Sequence, residues 1–201
     1  LHIRAEDRFV VLLPFHHINS TTFSLATLLM GGTIIVPPVY SNSGFWQQAA
    51  ATKATLTSIV QSIVFDQLGR KAEYARVKNN LALTRIQIGS APVVAQSVKE
   101  FIQTFAIPLY QGYGQTETAL RVTGVPMELS SAAYTALVDD NSIGAAMPWA
   151  EVAIMDEKGN LRGDNEEGEL VVKGPAVMKG YLGGEPAFRN GYFMTGDIGF
   201  F

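Results

Sequence analysis
Cysteine is absent from the 201 residues, which removes disulfide frameworks, thiolate metal sites and cysteine nucleophiles from consideration. The same absence fits a reducing compartment, so the cytoplasm is the expected location. Long apolar runs are scarce too. The longest, near residues 25–39, is broken by Gly31, Gly32 and Pro37; it is too short and too interrupted for a membrane span, and no charged leader precedes it. No lysine or arginine run occurs and the formal net charge is −3, so the chain carries no electrostatic footprint for nucleic acid or anionic lipid. Histidine is sparse. His16 and His17 are neighbours whose side chains would point to opposite faces of an extended segment, and His2 alone cannot complete a metal site with either. What is present, 47% hydrophobic and 16% charged residues, is ordinary globular material with length for one ample core or two modest ones. The leucine start and the apolar, strand-like ending "TGDIGFF" (195–201) lead us to expect a piece of a longer protein.

Along the chain, "RFVVLLP" (8–14) reads as a buried strand, "STTFSLATLLMGG" (20–32) as a helix with a Ser/Thr start and a glycine stop, and "TIIVPP" (33–38) as the next strand. "FWQQAAATK" (45–53) is predicted helical, "ATLTSIV" (54–60) a strand, the segment to about Lys71 helical and Lys78–Asn80 a polar linker. After "RIQIG" (85–89), the segment 94–105 places Val94, Val98, Phe101, Ile102 and Phe105 at helical spacing with Lys99 and Glu100 facing away. It feeds the strand "IPLYQGYG" (107–114). This alternation predicts an α/β fold: a mainly parallel sheet with flanking helices and ligand sites at the carboxyl ends of strands, where "IGSAP" (88–92) and "YQGYGQTE" (110–117) lie. From about Ser142 short strands take over, "EVAIMDEKGNLR" with a turn at Glu157–Asn160 and "EGELVVKG" (167–174) among them. We therefore expect an α/β subdomain over 1–141 and a β-rich subdomain over 142–201.

The chemistry concentrates in "GYGQTE" (112–117). A dinucleotide fingerprint would need glycine at 117, where the chain has Glu117, and no G-x-x-x-x-G-K-[ST] cradle occurs. Even so, Gly112 and Gly114 allow close backbone approach to an anion, Thr116 offers a hydroxyl to phosphate, Glu117 a hard oxygen to magnesium and Tyr113 a flat face to a base. A glycine-rich turn with a buried tyrosine and a solvated carboxylate accounts for the same letters. Likewise, Asp197 in "TGDIG" (195–199) reads by itself as a turn aspartate, and the acidic run Asp164–Glu169 as a solvated turn.

Four stretches in order, "LPFHH" (13–17), "GSAP" (89–92), "YQGYGQTE" (110–117) and "TGDIG" (195–199), resemble the adenylate-forming enzymes: acyl-CoA synthetases, aryl-CoA ligases, luciferases and the adenylation domains of nonribosomal peptide synthetases. The resemblance implies activation of a small carboxylic acid with ATP and magnesium to an acyl-adenylate, then transfer to a thiol, with coenzyme A as the expected acceptor and a carrier-protein arm as the other. It implies that Thr116 binds the α-phosphate, Glu117 the magnesium and Asp197 the ribose. Tyr113 would pack on adenine with Gly89, Ser90, Ala91 and Pro92 on its other side, and Gln111, Gly112 and Gly114 would complete the nucleotide loop. His17 would gate the acyl pocket. A phosphate loop upstream of "LPFHH" and a mobile domain with a catalytic lysine after residue 201 are also implied and neither is in this sequence; the chain is expected to be the middle of a large N-terminal domain and inactive alone. A catalytically dead remnant serving as a nucleotide-binding or interaction module is the other reading.

Overall fold
The computed structural model describes residues 2–184 and 187–201. The backbone forms two compact units, Leu1–Gly112 with Val125–Gly144, and Tyr113–Gly124 with Ala145–Phe201.

The first unit is the parallel half. Its strands are β1 (Arg8–Val10), β2 (Thr33–Ile35), β3 (Leu56–Ile59), β4 (Arg85–Ile88) and β5 (Leu109–Tyr113), and its helices are α1 (Ile18–Leu29), α2 (Phe45–Thr52), α3 (Gln61–Leu68), α4 (Lys71–Val77), α5 (Ala95–Phe105) and α6 (Ser131–Asp139). The strands lie in the order β2-β1-β3-β4-β5, every neighbour parallel. Parallel neighbours need crossover connections, and helices supply them. All four residues of β3 are buried, as expected of a strand covered on both faces. The core gathers Val10, Ile59, Ile86 and Ile88 of the strands with Trp46, Phe101 and Phe105 of the helices. Phe105 sits 4.7 Å from both Trp46 and Phe101, centroid to centroid.

Several predicted boundaries shift for local reasons. Helix α1 begins two residues before Ser20 because His17 takes the N-cap, its Nδ1 accepting from Asn19 N at 3.2 Å. The Ser20 hydroxyl is spent on Leu13 O at 2.7 Å instead. The helix ends at Leu29, where Gly31 adopts φ 81° and its N–H bonds back to Leu28 O. Only Arg8–Val10 of the predicted strand 8–14 pairs as strand, and Lys78–Asn80, read as a linker, closes one 3-10 turn. On α5, Val98, Phe101 and Phe105 are buried as the spacing requires, whereas Val94 stands outside the helix as its N-cap and is 46% exposed. Helices α4 and α6 have no counterpart in the sequence reading. Neither has a fully buried residue, so neither shows a strong apolar stripe of the kind by which a helix is recognised.

The second unit is antiparallel. A short pair, β6 (Thr123–Gly124) with β7 (Ala145–Ala146), accompanies a four-stranded sheet of β8 (Glu151–Met155), β9 (Gly168–Lys173), β10 (Phe188–Arg189) and β11 (Tyr192–Gly199), in the order β10-β11-β9-β8. Met155, Val171 and Tyr192 form its core. The return strand expected after Glu157–Asn160 is a single bridge between Met155 and Leu161. On β11 the ladder slips: Met194 faces Val171, yet Ile198 faces Glu169. The slipped stretch is Thr195–Gly196–Asp197, and Gly196 there adopts φ 80°, a conformation glycine reaches without steric cost.

Candidate functional site
In the second unit the chain leaves β5 at Tyr113 and doubles back. A Cβ on Gly114 would lie 1.5 Å from Leu120 O, and Val122 N donates to Tyr113 O at 2.9 Å. Glycine at 114 is thus required by the chain's own return. Thr116–Thr118 forms a 3-10 turn, closed at its start by Gln115 N donating to Thr118 Oγ1 at 3.0 Å. Thr116 is exposed on it.

The register slip in β11 and this turn bring Tyr113 and Asp197 together. The Tyr113 hydroxyl donates to Asp197 Oδ2. Gln115 Nε2 donates to the same oxygen at 3.0 Å, to Thr195 O at 2.9 Å and to the Tyr113 hydroxyl at 3.2 Å. Burial, and then the Asp197 carboxylate beside it, push the Tyr113 phenol well above its ordinary value, so it remains an O–H donor. The turn before Asp197 is braced by Thr195 Oγ1 donating to Leu170 O at 2.6 Å and by Gly196 N donating to Glu169 Oε1 at 2.9 Å. Glu169, the last residue of the acidic run read as a solvated turn, therefore holds backbone.

Glu117 is clamped twice by one segment: Tyr181 Oη donates to its Oε1 at 2.8 Å and Met178 N to its main-chain O at 2.7 Å. The Glu117 carboxylate in turn raises the Tyr181 phenol's pKa above its ordinary value. Among the described residues no group of three or more His, Cys, Asp or Glu could hold a metal ion.

In the first unit Gly89 is buried at the end of β4, and a Cβ on it would lie 2.5 Å from Gly112 O. Only glycine lets the two strand ends approach so closely. Ser90 follows at φ 64°, and Ser90, Ala91 and Pro92 are exposed. Gly112 is buried and Gln111 half-buried in β5, where Gln111 pairs with Ile88. His17 is exposed and tied through its cap to Asn19, whose Nδ2 donates to Gln87 Oε1 at 3.3 Å. Ser58 Oγ donates to that same Gln87 oxygen. A cavity of about 590 Å³ in this unit is lined by Phe15, Val36, Tyr40, Ile63 and Asp66 among others, and by none of the expected site residues.

Gln115, Tyr181, Glu169, Asn19 and Ser58 were not picked out as site residues. Gln115 lay inside the quoted stretch, yet no spacing rule names the partner of an amide.

A family model for AMP-binding enzymes matches residues 1–182. The chain belongs to the AMP-binding enzyme family. Among its relatives, the 2-succinylbenzoate–CoA ligase of Bacillus licheniformis is 29% identical over 205 residues, covering 100% of this chain and 40% of that protein. Two solved structures agree on the fold. The o-succinylbenzoate coenzyme A synthetase of Bacillus subtilis, in complex with ATP and magnesium ion, superposes with TM-score 0.80 at 26% identity over 100% of this chain and 40% of that one. A fatty acyl CoA synthetase of Mycobacterium tuberculosis gives TM-score 0.84 at 26% identity over 100% and 39%. The chain spans about 40% of the length of these relatives. The AMP-binding match stops at residue 182, short of Asp197, which the longer alignments include. No helix among the described residues is long and apolar enough to cross a membrane.

Proposed function
We propose that this AMP-binding family member takes part in an ATP- and magnesium-dependent acid–thiol ligation: a carboxylate attacks the α-phosphorus of ATP, pyrophosphate leaves, and a thiol then takes the acyl group and releases AMP. One observation carries the reading. Tyr113 and Asp197, 84 residues apart and each implied by the resemblance to meet the nucleotide, share a hydrogen bond. In this proposal Tyr113 meets adenine, Asp197 the ribose and Thr116 the α-phosphate; Gly89, Ser90, Ala91, Pro92, Gln111, Gly112 and Gly114 contribute nucleotide contacts, and His17 borders the acyl group. Coenzyme A is the proposed acceptor and the cytoplasm the proposed setting.

The donor set fits magnesium in one form only. Magnesium keeps several waters and takes one or two carboxylates plus substrate phosphates, so a single carboxylate, Glu117, suits an ion arriving on the triphosphate rather than one resident in the protein. When bound, the ion would neutralise charge on the phosphates. Glu117 would orient it, held in place by Tyr181 and Met178.

Acid-dependent exchange of labelled pyrophosphate into ATP, run on the full-length gene product across aliphatic, aryl and dicarboxylic acids, tests the reading. At least one acid should support exchange, whereas the 201-residue chain alone should show none. Nucleotide binding without exchange for any acid would favour the binding-module alternative.

A further inference from the structure
Asp197 presents a problem of position. It is exposed, on a stretch of β11 where the ladder has lost register and next to a glycine at φ 80°. The backbone before it is braced by Thr195 and Gly196, but the side chain of an exposed carboxylate keeps two free torsions, so on its own it would not present a fixed face to a ligand. Gln115 ties that side chain to the braced backbone. Its Nε2 reaches the side chain at Oδ2 (3.0 Å) and the backbone at Thr195 O (2.9 Å). The phenol of Tyr113 meets the side chain alone.

Gln115 is itself anchored. Its N–H donates to Thr118 Oγ1 at 3.0 Å, and its carbonyl accepts from Thr118 N at 3.2 Å and Leu120 N at 3.0 Å. The amide therefore reaches Asp197 from a fixed turn. A carboxylate accepts about four hydrogen bonds. The Tyr113 hydroxyl and Gln115 occupy Oδ2, while Oδ1 takes no protein donor among the described residues. That leaves one oxygen with two acceptor sites, the number of hydroxyls that a vicinal diol offers.

We propose that Gln115 is a positioning residue that fixes Asp197 so that its Oδ1 reads the ribose diol, making preference for ribonucleotides depend on the Gln115 amide. The proposal rests on the nucleotide reading above.

Calorimetric titration of the full-length gene product with ATP and with 2′,3′-dideoxy-ATP, magnesium present, tests it. The wild type should bind ATP the more tightly. Gln115→Met keeps the length and removes the donors; it should cut that preference about tenfold, the size of one hydrogen bond to a charged group, with dideoxy-ATP affinity and melting temperature unchanged. In an Asp197→Ala background, which leaves no acceptor for the amide, the same substitution should cut the preference no further, because its effect runs through that carboxylate. Gln115→Glu, which turns a second carboxylate toward Asp197, should cut it at least as far and decides the matter should Gln115→Met fail to fold. An unchanged preference in the Gln115 variants overturns the proposal and leaves the nucleotide reading standing, as does a full further loss in the Asp197→Ala background. A wild type that binds both nucleotides equally removes the diol from Asp197 and also overturns it. A wild type that binds neither overturns the nucleotide reading itself.

Discussion

In the parallel unit the exposed loop Ser90–Pro92 follows a strand whose Ile86 and Ile88 are fully buried, and glycine at 89 lets it close on Gly112 O. In the β-rich unit Asp197 stands exposed on a slipped stretch of β11, held by the Tyr113 hydroxyl and the Gln115 amide. The first position is set by packing, which is non-directional and shared among many contacts. The second is set by a few directional bonds. Burying an isoleucine or phenylalanine contributes about 1.5–3 kcal/mol, against a net 0.5–1.5 kcal/mol or so for a typical hydrogen bond. Damage to the parallel unit should therefore appear as lost stability, and damage to the polar contacts of the β-rich unit as lost function in a protein that still folds.

The sharpest separation should come from Phe105→Ala in the parallel unit. Phe105 is 1% exposed and packed on Trp46, Tyr74 and Phe101, so urea unfolding should report a loss of about 3–5 kcal/mol; a loss below 1 kcal/mol would mean the aromatic cluster does not hold this unit together. Next comes Glu117→Gln, which keeps packing and removes the charge a hard cation prefers. Pyrophosphate exchange should fall by about a hundredfold or more, as when one group stabilising developing charge is lost, with the melting temperature nearly unchanged. A drop of many degrees with exchange intact would reverse the comparison and make Glu117 a structural residue.

Smaller effects should follow at Tyr113. Removing its face in Tyr113→Ala should weaken ATP binding by about 1–3 kcal/mol, the usual size of base–aromatic stacking. Tyr113→Phe keeps the face and removes the donor to Asp197; with Gln115 still on the same oxygen, the loss should stay near 1 kcal/mol. Equal losses would show that the hydroxyl matters and the face does not. The smallest effect concerns alkaline pH. In the parallel unit, burial pushes the Tyr134 phenol from 10.0 up to about 12, against the opposing influence of its contact with Leu109. Its folded value is raised, so its contribution is fully present below the unfolded value near 10 and is lost as pH rises toward 12. Tyr134→Phe should flatten that part of the stability–pH curve; an unaltered slope would show that Tyr134 is not the group responsible.

Much of the parallel unit was legible in the sequence. Strands followed by helices with an apolar stripe, α5 above all, announce crossover units, and the buried strand Leu56–Ile59 was legible within "ATLTSIV" (54–60) although Thr57 and Ser58 are buried polar residues. Helices α4 and α6 escaped because no residue on them is more than partly buried. Tyr134 anchors α6 by accepting from Leu109 N at 3.0 Å and donating to Leu109 O at 2.8 Å, a contact without periodicity. The texture change near Ser142 was visible, but the grouping of Tyr113–Gly124 with the later β-rich residues was not, since the backbone enters that segment along a parallel strand. In "YQGYGQTE" and "TGDIG" the candidate residue types could be read, and the AMP-binding family match over residues 1–182 agrees with the resemblance that the first of them carries. The hydrogen bonds joining those stretches could not.

By itself the sequence determined what depends on composition and local period: no thiol chemistry, no basic footprint, alternating strands and helices in the first part, short strands after it, and glycine where the chain passes close to itself, as at Gly89 and Gly114. Only the tertiary structure decided which polar atom meets which. Gln115 finds Asp197 across 82 residues, and Tyr181 finds Glu117 across 64. A local pattern expresses forces that repeat with each turn or pleat. The partner of a single amide or phenol depends on the path of all the chain between them, here on a slipped register in β11 and on a backbone that doubles back at Gly114.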